Sequence, residues 1–188
     1  FSRDLQVVGR AYKLLKRSHP KPGWVEQSPR QMVEASKTVL RKAVRESGIP
    51  LRAFVAFGIT NQRETAILWD RVSGKSVYPA IVWEDRRTTK DCARLKARGF
   101  EPMIRKKTGL VINPYFSATK IAWILKHCPS PAPTAVGAGE GELCFGTVDT
   151  WILWNLLEGQ PHLTDWTNAS RTLLYNIRTL KWDNKLLE

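Results

Sequence analysis

One short stretch of the chain reads Phe54-Val55-Ala56-Phe57-Gly58-Ile59-Thr60-Asn61-Gln62-Arg63-Glu64-Thr65. Its apolar first part would be hydrophobic on both faces of an extended chain, which predicts a buried strand over residues 51–59. The crevice beyond the carboxyl end of such a strand is where α/β proteins bind ligands. Arg63 offers a planar fork of donors and Glu64 offers acceptors, so the pair can hold neighbouring hydroxyls of a polyol. The spacing alone leaves an ordinary solvated turn open as the alternative.

The segments around this stretch predict a mixture of strands and helices. Ser28 and Pro29 are residues that open a helix, because serine caps the first turn and proline fits into it. Alternating apolar residues predict a β-hairpin over 65–83 that turns at 72–75. Further strands are predicted at 5–16, 164–165 and 171–177, further helices at 86–98, 101–107, 117–127, 148–157 and from 182 onward, and a Pro/Gly/Ala surface loop at 128–141. This mixture indicates an α/β domain with a mixed sheet.

The composition is that of an ordinary globular protein. The chain has 188 residues, of which 43% are hydrophobic and 25% are charged, enough for one domain, or for one domain and the edge of a second. It has neither an apolar run that could cross a bilayer nor the apolar segment of a signal peptide. Its three cysteines, Cys92, Cys128 and Cys144, are far apart. They fit neither a disulfide framework nor a metal site, which predicts a reducing, cytoplasmic location.

The net charge of +13 comes from 30 basic and 17 acidic residues. A basic nucleic-acid-binding module is one interpretation, because phosphate contacts supply most non-specific affinity for nucleic acids. The basic residues are spread along the whole chain, however, and aromatic residues do not alternate with them in a stacking pattern. We therefore expect no nucleic-acid partner. A basic surface of this kind can also attract an anionic nucleotide.

Several longer motifs, in a fixed order, resemble the FGGY family of carbohydrate kinases, and most of all its glycerol-phosphorylating branch. They extend over nearly the whole chain and are more specific than any single short motif. They are Lys21-Pro-Gly-Trp-Val-Glu-Gln27, Gly58-Ile-Thr-Asn-Gln-Arg-Glu-Thr65, Ala80-Ile-Val-Trp-Glu-Asp-Arg-Arg-Thr88, Thr108-Gly-Leu-Val-Ile-Asn-Pro-Tyr-Phe-Ser-Ala-Thr-Lys120, Phe145-Gly-Thr-Val-Asp-Thr-Trp151 and Thr164-Asp-Trp-Thr-Asn-Ala-Ser-Arg-Thr-Leu-Leu-Tyr-Asn176.

The resemblance implies a ribonuclease-H-like fold, shared with actin and hexokinase, in which two domains close over a cleft. Residues 1–188 would form most of the N-terminal, substrate-binding domain of a longer protein. That protein would use ATP and Mg²⁺ to phosphorylate glycerol to sn-glycerol 3-phosphate. The resemblance also implies a homo-oligomer without a membrane span. A targeting address for an organelle stays open, because the chain begins at Phe1 and not at an initiator methionine.

The resemblance assigns substrate contacts to four residues. Arg63 and Glu64 would bind hydroxyls of glycerol, Tyr115 would bind a further hydroxyl, and Trp83 would pack on the carbon backbone. Without the resemblance, an isolated tryptophan or tyrosine is interpreted as core packing. Three other polar residues in matching motifs, Asp149, Asn168 and Arg171, are interpreted as framework.

Two parts of the family's machinery have no counterpart in this sequence. An Asp-Gly-Thr turn that binds nucleotide phosphate is expected before residue 1, and the catalytic base, an aspartate, is expected beyond residue 188. We therefore predict no catalytic, cofactor-binding or metal-binding residue here, and no activity of the chain alone. Glu84 departs from the neutral residue that is common at its position. A kinase for another polyol or a pentulose, or a non-catalytic binding or regulatory protein, remains the alternative.

Overall fold

The computed structural model describes residues 1–128 and 143–188, which form an α/β arrangement of short strands and helices. The helices are α1 (Pro29–Ser47), α2 (Thr89–Ala97), α3 (Glu101–Thr108), α4 (Ser117–His127), α5 (Val148–Leu156), α6 (Trp166–Ala169) and α7 (Asn184–Leu187). The strands are β1 (Glu26–Gln27), β2 (Ile67–Asp70), β3 (Ala80–Ile81), β4 (Leu143–Gly146), β5 (Tyr175–Asn176) and β6 (Lys181–Trp182).

The first four strands lie side by side in the order β1–β3–β2–β4. β1 pairs with β3 and β2 pairs with β4, both antiparallel. An antiparallel bridge between Ala66 and Ile81 joins the two pairs. β5 and β6 form a separate antiparallel hairpin.

The hairpin predicted over residues 65–83 is confirmed. The backbone nitrogen of Asp70 donates to the Lys75 carbonyl at 3.0 Å, and that of Val77 donates to the Leu68 carbonyl at 3.0 Å. The turn contains Gly74 with φ of 64°, a left-handed conformation that glycine adopts without steric cost.

The predicted start of α1 is also confirmed. The Ser28 hydroxyl accepts a hydrogen bond from the Gln31 backbone nitrogen at 3.3 Å, and Pro29 occupies the first turn. The helix ends at Gly48, where φ is 65°. Its apolar side is buried in its first half, at Met32, Val33 and Ala35.

The core is built on both faces of β2. Ile67 and Trp69 pack in a cluster with residues of α1 and α5, and Leu68, on the opposite face, packs with Ile81 and with Ile124 of α4. A further cluster joins α2, α3 and the start of α4, with Cys92, Ile104, Ile112, Phe116 and Leu173 at its centre. Both faces of β2 are therefore buried, and helices cover each side.

The predicted strands at residues 5–16, 51–59 and 164–165 are wrong. Residues 5–16 contain no strand, and residues 51–59 form one 3₁₀ turn at Leu51–Ala53 followed by extended chain. The Val55 side chain is 95% exposed. Strands need a ladder partner, and within the described part of the chain the backbone of residues 55–59 has no hydrogen-bonded neighbour. The apolar pattern predicted burial, but the pairing that would enforce it is missing there.

The predicted helices at 101–107, 117–127 and 148–157 are confirmed as α3, α4 and α5, and α2 begins three residues later than expected. Residues 164–165 are not a strand, because the Asp165 carboxylate accepts from the backbone of Thr167 and Asn168 and caps α6. The predicted loop at 128–141 lies, except for Cys128, outside the described residues. None of the helices in the described ranges has the length and hydropathy that a bilayer crossing requires.

Candidate functional site

Residues 61–64 form a short loop that leads directly into β2. The Asn61 amide donates to the Asn168 side chain at 3.0 Å, and the Gln62 amide donates to the Gln27 side chain at 2.7 Å. The Thr65 backbone nitrogen closes the turn onto the Gln62 carbonyl at 3.3 Å. The loop is thus fixed from two sides at the start of a buried strand, whereas the sequence predicted it at the end of one.

Glu64 is the most tightly held residue of this loop. It is only 3% exposed, and its Oε1 accepts a hydrogen bond from Arg171 Nε at 2.7 Å. Its backbone carbonyl accepts from Ser117 Oγ at 3.3 Å and from Lys120 Nζ at 3.1 Å. Within the described residues, the second carboxylate oxygen, Oε2, accepts no hydrogen bond. A fixed carboxylate therefore keeps one acceptor oxygen available.

Lys120 connects Glu64 to Tyr115. Its side chain is completely buried, and Nζ donates to the Tyr115 carbonyl at 2.6 Å as well as to that of Glu64. Burial disfavours the ammonium form and lowers the pKa of Lys120 to about 7, although the carboxylates of Asp85 and Glu64 act in the opposite direction. One buried amine thus joins the loop before β2 to the loop before α4.

Tyr115 and Trp83 form an aromatic wall. Their rings meet edge to face with centroids 5.5 Å apart, and both side chains are half-buried. The Tyr115 backbone nitrogen donates to Asn113 Oδ1 at 2.9 Å, which fixes the turn before α4. The Tyr115 hydroxyl forms no hydrogen bond with the residues that the structure describes. The wall therefore presents apolar rings and one free hydroxyl.

Arg63 lies at the surface of the same loop. The side chain is exposed, and it forms neither a hydrogen bond nor an ion pair with residues 1–128 or 143–188. Its neighbours Asn61, Gln62 and Glu64 are all held by other side chains. The guanidinium thus keeps its donors free, beside a carboxylate that is fixed in place.

Of the four predicted substrate contacts, the structure brings three together. Tyr115 and Trp83 are in direct contact, and Glu64 is joined to Tyr115 through Lys120 and Arg171. The fourth residue, Arg63, is next to Glu64 in sequence, and its side chain is exposed to solvent. Acceptor oxygen, donor fork, phenol and apolar wall are the groups that a small polyol requires.

Two neighbouring acids, Glu84 and Asp85, have separate structural partners. Glu84 pairs with Arg17 at 2.9 Å. Asp85 is buried, accepts from the Val25 backbone nitrogen at 2.6 Å, and pairs with Arg87 at 2.8 Å. They therefore do not form a pair of catalytic carboxylates. The partner of Glu84 is thus the partly exposed cation of Arg17.

The interpretation of Asp149, Asn168 and Arg171 as framework needs one revision. Asp149 Oδ1 and Asn168 Oδ1 both accept from the Asn61 amide, at 3.5 Å and 3.0 Å, so both hold the loop. Arg171, however, contacts the Glu64 carboxylate directly. Sequence reasoning missed this contact, although a buried glutamate needs a cationic or donor partner, and that need was the available signal.

No metal site is found among the residues that the structure describes. In that part of the chain, no three His, Cys, Asp or Glu side chains come close enough together to hold a metal ion.

Comparison with known proteins gives a consistent result over the whole chain. Residues 1–188 match the model of the FGGY family of carbohydrate kinases, N-terminal domain. The glycerol kinases of Bradyrhizobium diazoefficiens and Chromobacterium violaceum are each 50% identical to this chain over 188 residues. The chain spans 37% of the length of these two relatives.

A solved structure of Plasmodium falciparum glycerol kinase with ADP is similar in fold. It matches with a TM-score of 0.79 and 35% identity, over 93% of this chain and 34% of that one. The expected α/β, ribonuclease-H-like class, as in actin and hexokinase, is thereby confirmed.

Proposed function

The chain belongs to the FGGY family of carbohydrate kinases, and from this premise we propose that it is the glycerol-binding part of a longer protein, here called the full-length protein. That protein phosphorylates glycerol to sn-glycerol 3-phosphate with ATP. This chain accounts for 37% of the length of its two glycerol kinase relatives, which supports the proposal that it is one part of a longer protein.

The observation that carries the proposal is the state of Glu64. The carboxylate is buried, one of its oxygens accepts from Arg171 at 2.7 Å, and the other accepts no hydrogen bond from the described residues, while the preceding residue, Arg63, has an exposed side chain. A hydroxyl both donates and accepts, so it can donate to Glu64 Oε2 and accept from Arg63. Neighbouring hydroxyls of glycerol can therefore bind to this pair of one acceptor and one donor.

The aromatic wall supplies the other half of the recognition. Trp83 covers the carbon backbone of the alcohol, and the Tyr115 hydroxyl binds a further hydroxyl group. A site built on hydroxyl pairing rejects analogues that lack a hydroxyl, because its own polar groups would stay unpaired. Glycerol is therefore both bound and selected by these four residues.

Among the described residues, no three His, Cys, Asp or Glu side chains form a group that could hold a metal ion. Binding and orienting the alcohol is the part of the reaction that these residues perform. We assign the phosphate-binding turn and the catalytic base to the rest of the full-length protein, which forms a cytoplasmic homo-oligomer. The 188-residue chain alone then binds alcohol weakly and transfers no phosphoryl group.

The test is a substrate panel on the full-length protein with ATP. Glycerol, xylulose, ribulose and ethylene glycol are compared by kcat/KM, and ADP release is measured. We expect glycerol to be preferred, with the 188-residue chain inactive in the same assay. A preference for xylulose or ribulose, or phosphorylation of glycerol by the 188-residue chain alone, would contradict the proposal.

A further inference from the structure

We propose that Arg171 is a positioning residue that sets the distance between the Glu64 carboxylate and the Tyr115 phenol, and so determines how tightly the alcohol is held. This inference rests on the proposed function, since it concerns the same site. It adds a residue that lies 107 positions from Glu64 in sequence.

The first contact of Arg171 is with the carboxylate. Arg171 Nε donates to Glu64 Oε1 at 2.7 Å, and the two side chains are 28% and 4% exposed. A carboxylate with so little access to water requires a charged donor, and a bond from Nε fixes its rotation as well as its charge. Within the described residues the other oxygen, Glu64 Oε2, accepts no hydrogen bond and is left for a ligand.

The second contact of Arg171 is with the aromatic wall. The guanidinium carbon lies 4.9 Å from the ring centroid of Phe116 and 5.8 Å from that of Tyr115. Cations within about 6 Å of a ring are attracted to it, and a flat guanidinium can also stack. Tyr115 in turn contacts Trp83. One side chain therefore touches the acceptor and the wall together.

The backbone around Arg171 is fixed to both partners. The Thr172 carbonyl accepts from the Ala118 backbone nitrogen at 2.8 Å, which joins this turn to the start of α4. The Arg171 backbone nitrogen donates to the Asn168 carbonyl at 3.0 Å, and the Asn168 side chain accepts from Asn61. The turn that carries Arg171 is thus anchored to the start of α4, which directly follows the loop of Tyr115, and to the loop that carries Glu64.

Lysine cannot reproduce both contacts. It keeps the positive charge near Glu64, but it lacks the planar fork and the flat face that lies against the rings. Methionine keeps much of the length and removes the charge, which leaves a buried carboxylate without its partner. The two substitutions therefore separate the electrostatic contribution from the geometric one.

The experiment measures steady-state kinetics of the full-length protein with Arg171→Lys and Arg171→Met. Loss of one hydrogen bond to a charged group raises the KM for glycerol about 10- to 100-fold in Arg171→Met, with a smaller rise in Arg171→Lys. The KM for ATP stays within about threefold of wild type in both, because only the alcohol site is disturbed. The matched control is Arg178, exposed and bound to the Lys106 carbonyl; Arg178→Met changes neither KM.

The outcomes separate this inference from the proposed function. If the wild-type protein prefers another alcohol of the panel, the proposed function fails, and Arg171 is judged on the KM for that alcohol. If the wild-type protein accepts glycerol but Arg171→Met leaves its KM unchanged, only the inference fails. It also fails if kcat and both KM values worsen equally in Arg171→Lys and Arg171→Met, since that is the effect of a purely structural residue. A wild-type protein that accepts no alcohol overturns both.

Discussion

Lys120 is a buried lysine whose ionisation affects the stability of this domain. It is completely buried and its pKa is lowered to about 7. In the unfolded chain a lysine has its ordinary pKa of about 10.4. At a pH between these two pKa values, Lys120 carries a proton in the unfolded state but not in the folded state. Stability contributed by this group therefore rises as the pH increases from 7 towards 10.

We predict a pH-dependent difference between the wild-type full-length protein and Lys120→Met. From pH 7 to pH 9, the free energy of unfolding of the wild type should increase relative to the variant by about 2 kcal/mol. Urea unfolding at both pH values, followed by tryptophan fluorescence, measures the difference. Lys126→Met is the control, because Lys126 is an exposed lysine of the same helix, α4. A wild-type-to-variant difference that is the same at both pH values would show that Lys120 has an ordinary pKa.

The sequence predicted candidate substrate contacts, but it did not predict the side chains that hold them in place. Arg63, Glu64, Trp83 and Tyr115 lie in motifs whose resemblance to a family can be recognised. Arg171 contacts Glu64 across 107 residues of sequence, and no local pattern encodes such a contact. Only the requirement that a buried carboxylate have a partner points to it.

Arg87 joins elements that are distant in sequence. Its guanidinium is completely buried, pairs with Glu26 of β1 and with Asp85 at 2.8 Å each, and lies 3.9 Å from the Trp24 ring and 4.7 Å from the Trp123 ring of α4. A buried cation between two carboxylates and two indoles connects β1, the turn after β3, and α4. The neighbouring Arg86 is exposed, so the two arginines form a natural pair of variant and control.

We predict that Arg87→Met destabilises the full-length protein by about 3–5 kcal/mol, because two buried carboxylates lose their partner. Arg86→Met should change the free energy of unfolding by less than about 0.5 kcal/mol, as expected for an exposed residue. Urea unfolding of both variants at one pH provides the comparison. Equal effects of the two substitutions would mean that the buried pairing does not stabilise the domain.

Helices were predicted more accurately than strands. Local signals define a helix, such as the Ser28 cap and Gly48 at the end of α1. A strand depends on a partner that is remote in sequence. β2 pairs with β4, whose residues lie more than 70 positions later, and residues 51–59 have an apolar pattern but no ladder in the described structure. Periodicity therefore identified the apolar segments, but it could not identify which of them is paired.

At the scale of the whole molecule, the described residues form a large, mainly apolar groove. It lies between residues 11–15, α1 and residues 57–62, and its volume is about 620 Å³. Two aromatic residues that line it, Tyr12 and Phe57, are 83% and 56% exposed. Exposed apolar patches beside unpaired extended chain favour binding of apolar molecules and association between chains.

We predict that the 188-residue chain binds the dye ANS and self-associates as its concentration rises. Tyr12→Lys together with Phe57→Lys should reduce both, whereas Val72→Lys, at an exposed residue of the β2–β3 turn, should not. Dye fluorescence and analytical ultracentrifugation measure the two effects. A chain that stays monomeric without dye binding would contradict the prediction.

The central claim is that Arg63 and Glu64 hold the alcohol in the full-length protein. The most direct measurement is kcat/KM for glycerol with Arg63→Met and Glu64→Gln combined. The control combines Arg94→Met and Asp91→Asn, an exposed ion pair on α2. We predict a fall of about 100-fold or more, since two charge-assisted hydrogen bonds are lost, and no change in the control. A kcat/KM within about threefold of wild type in the Arg63 and Glu64 variant would contradict the account.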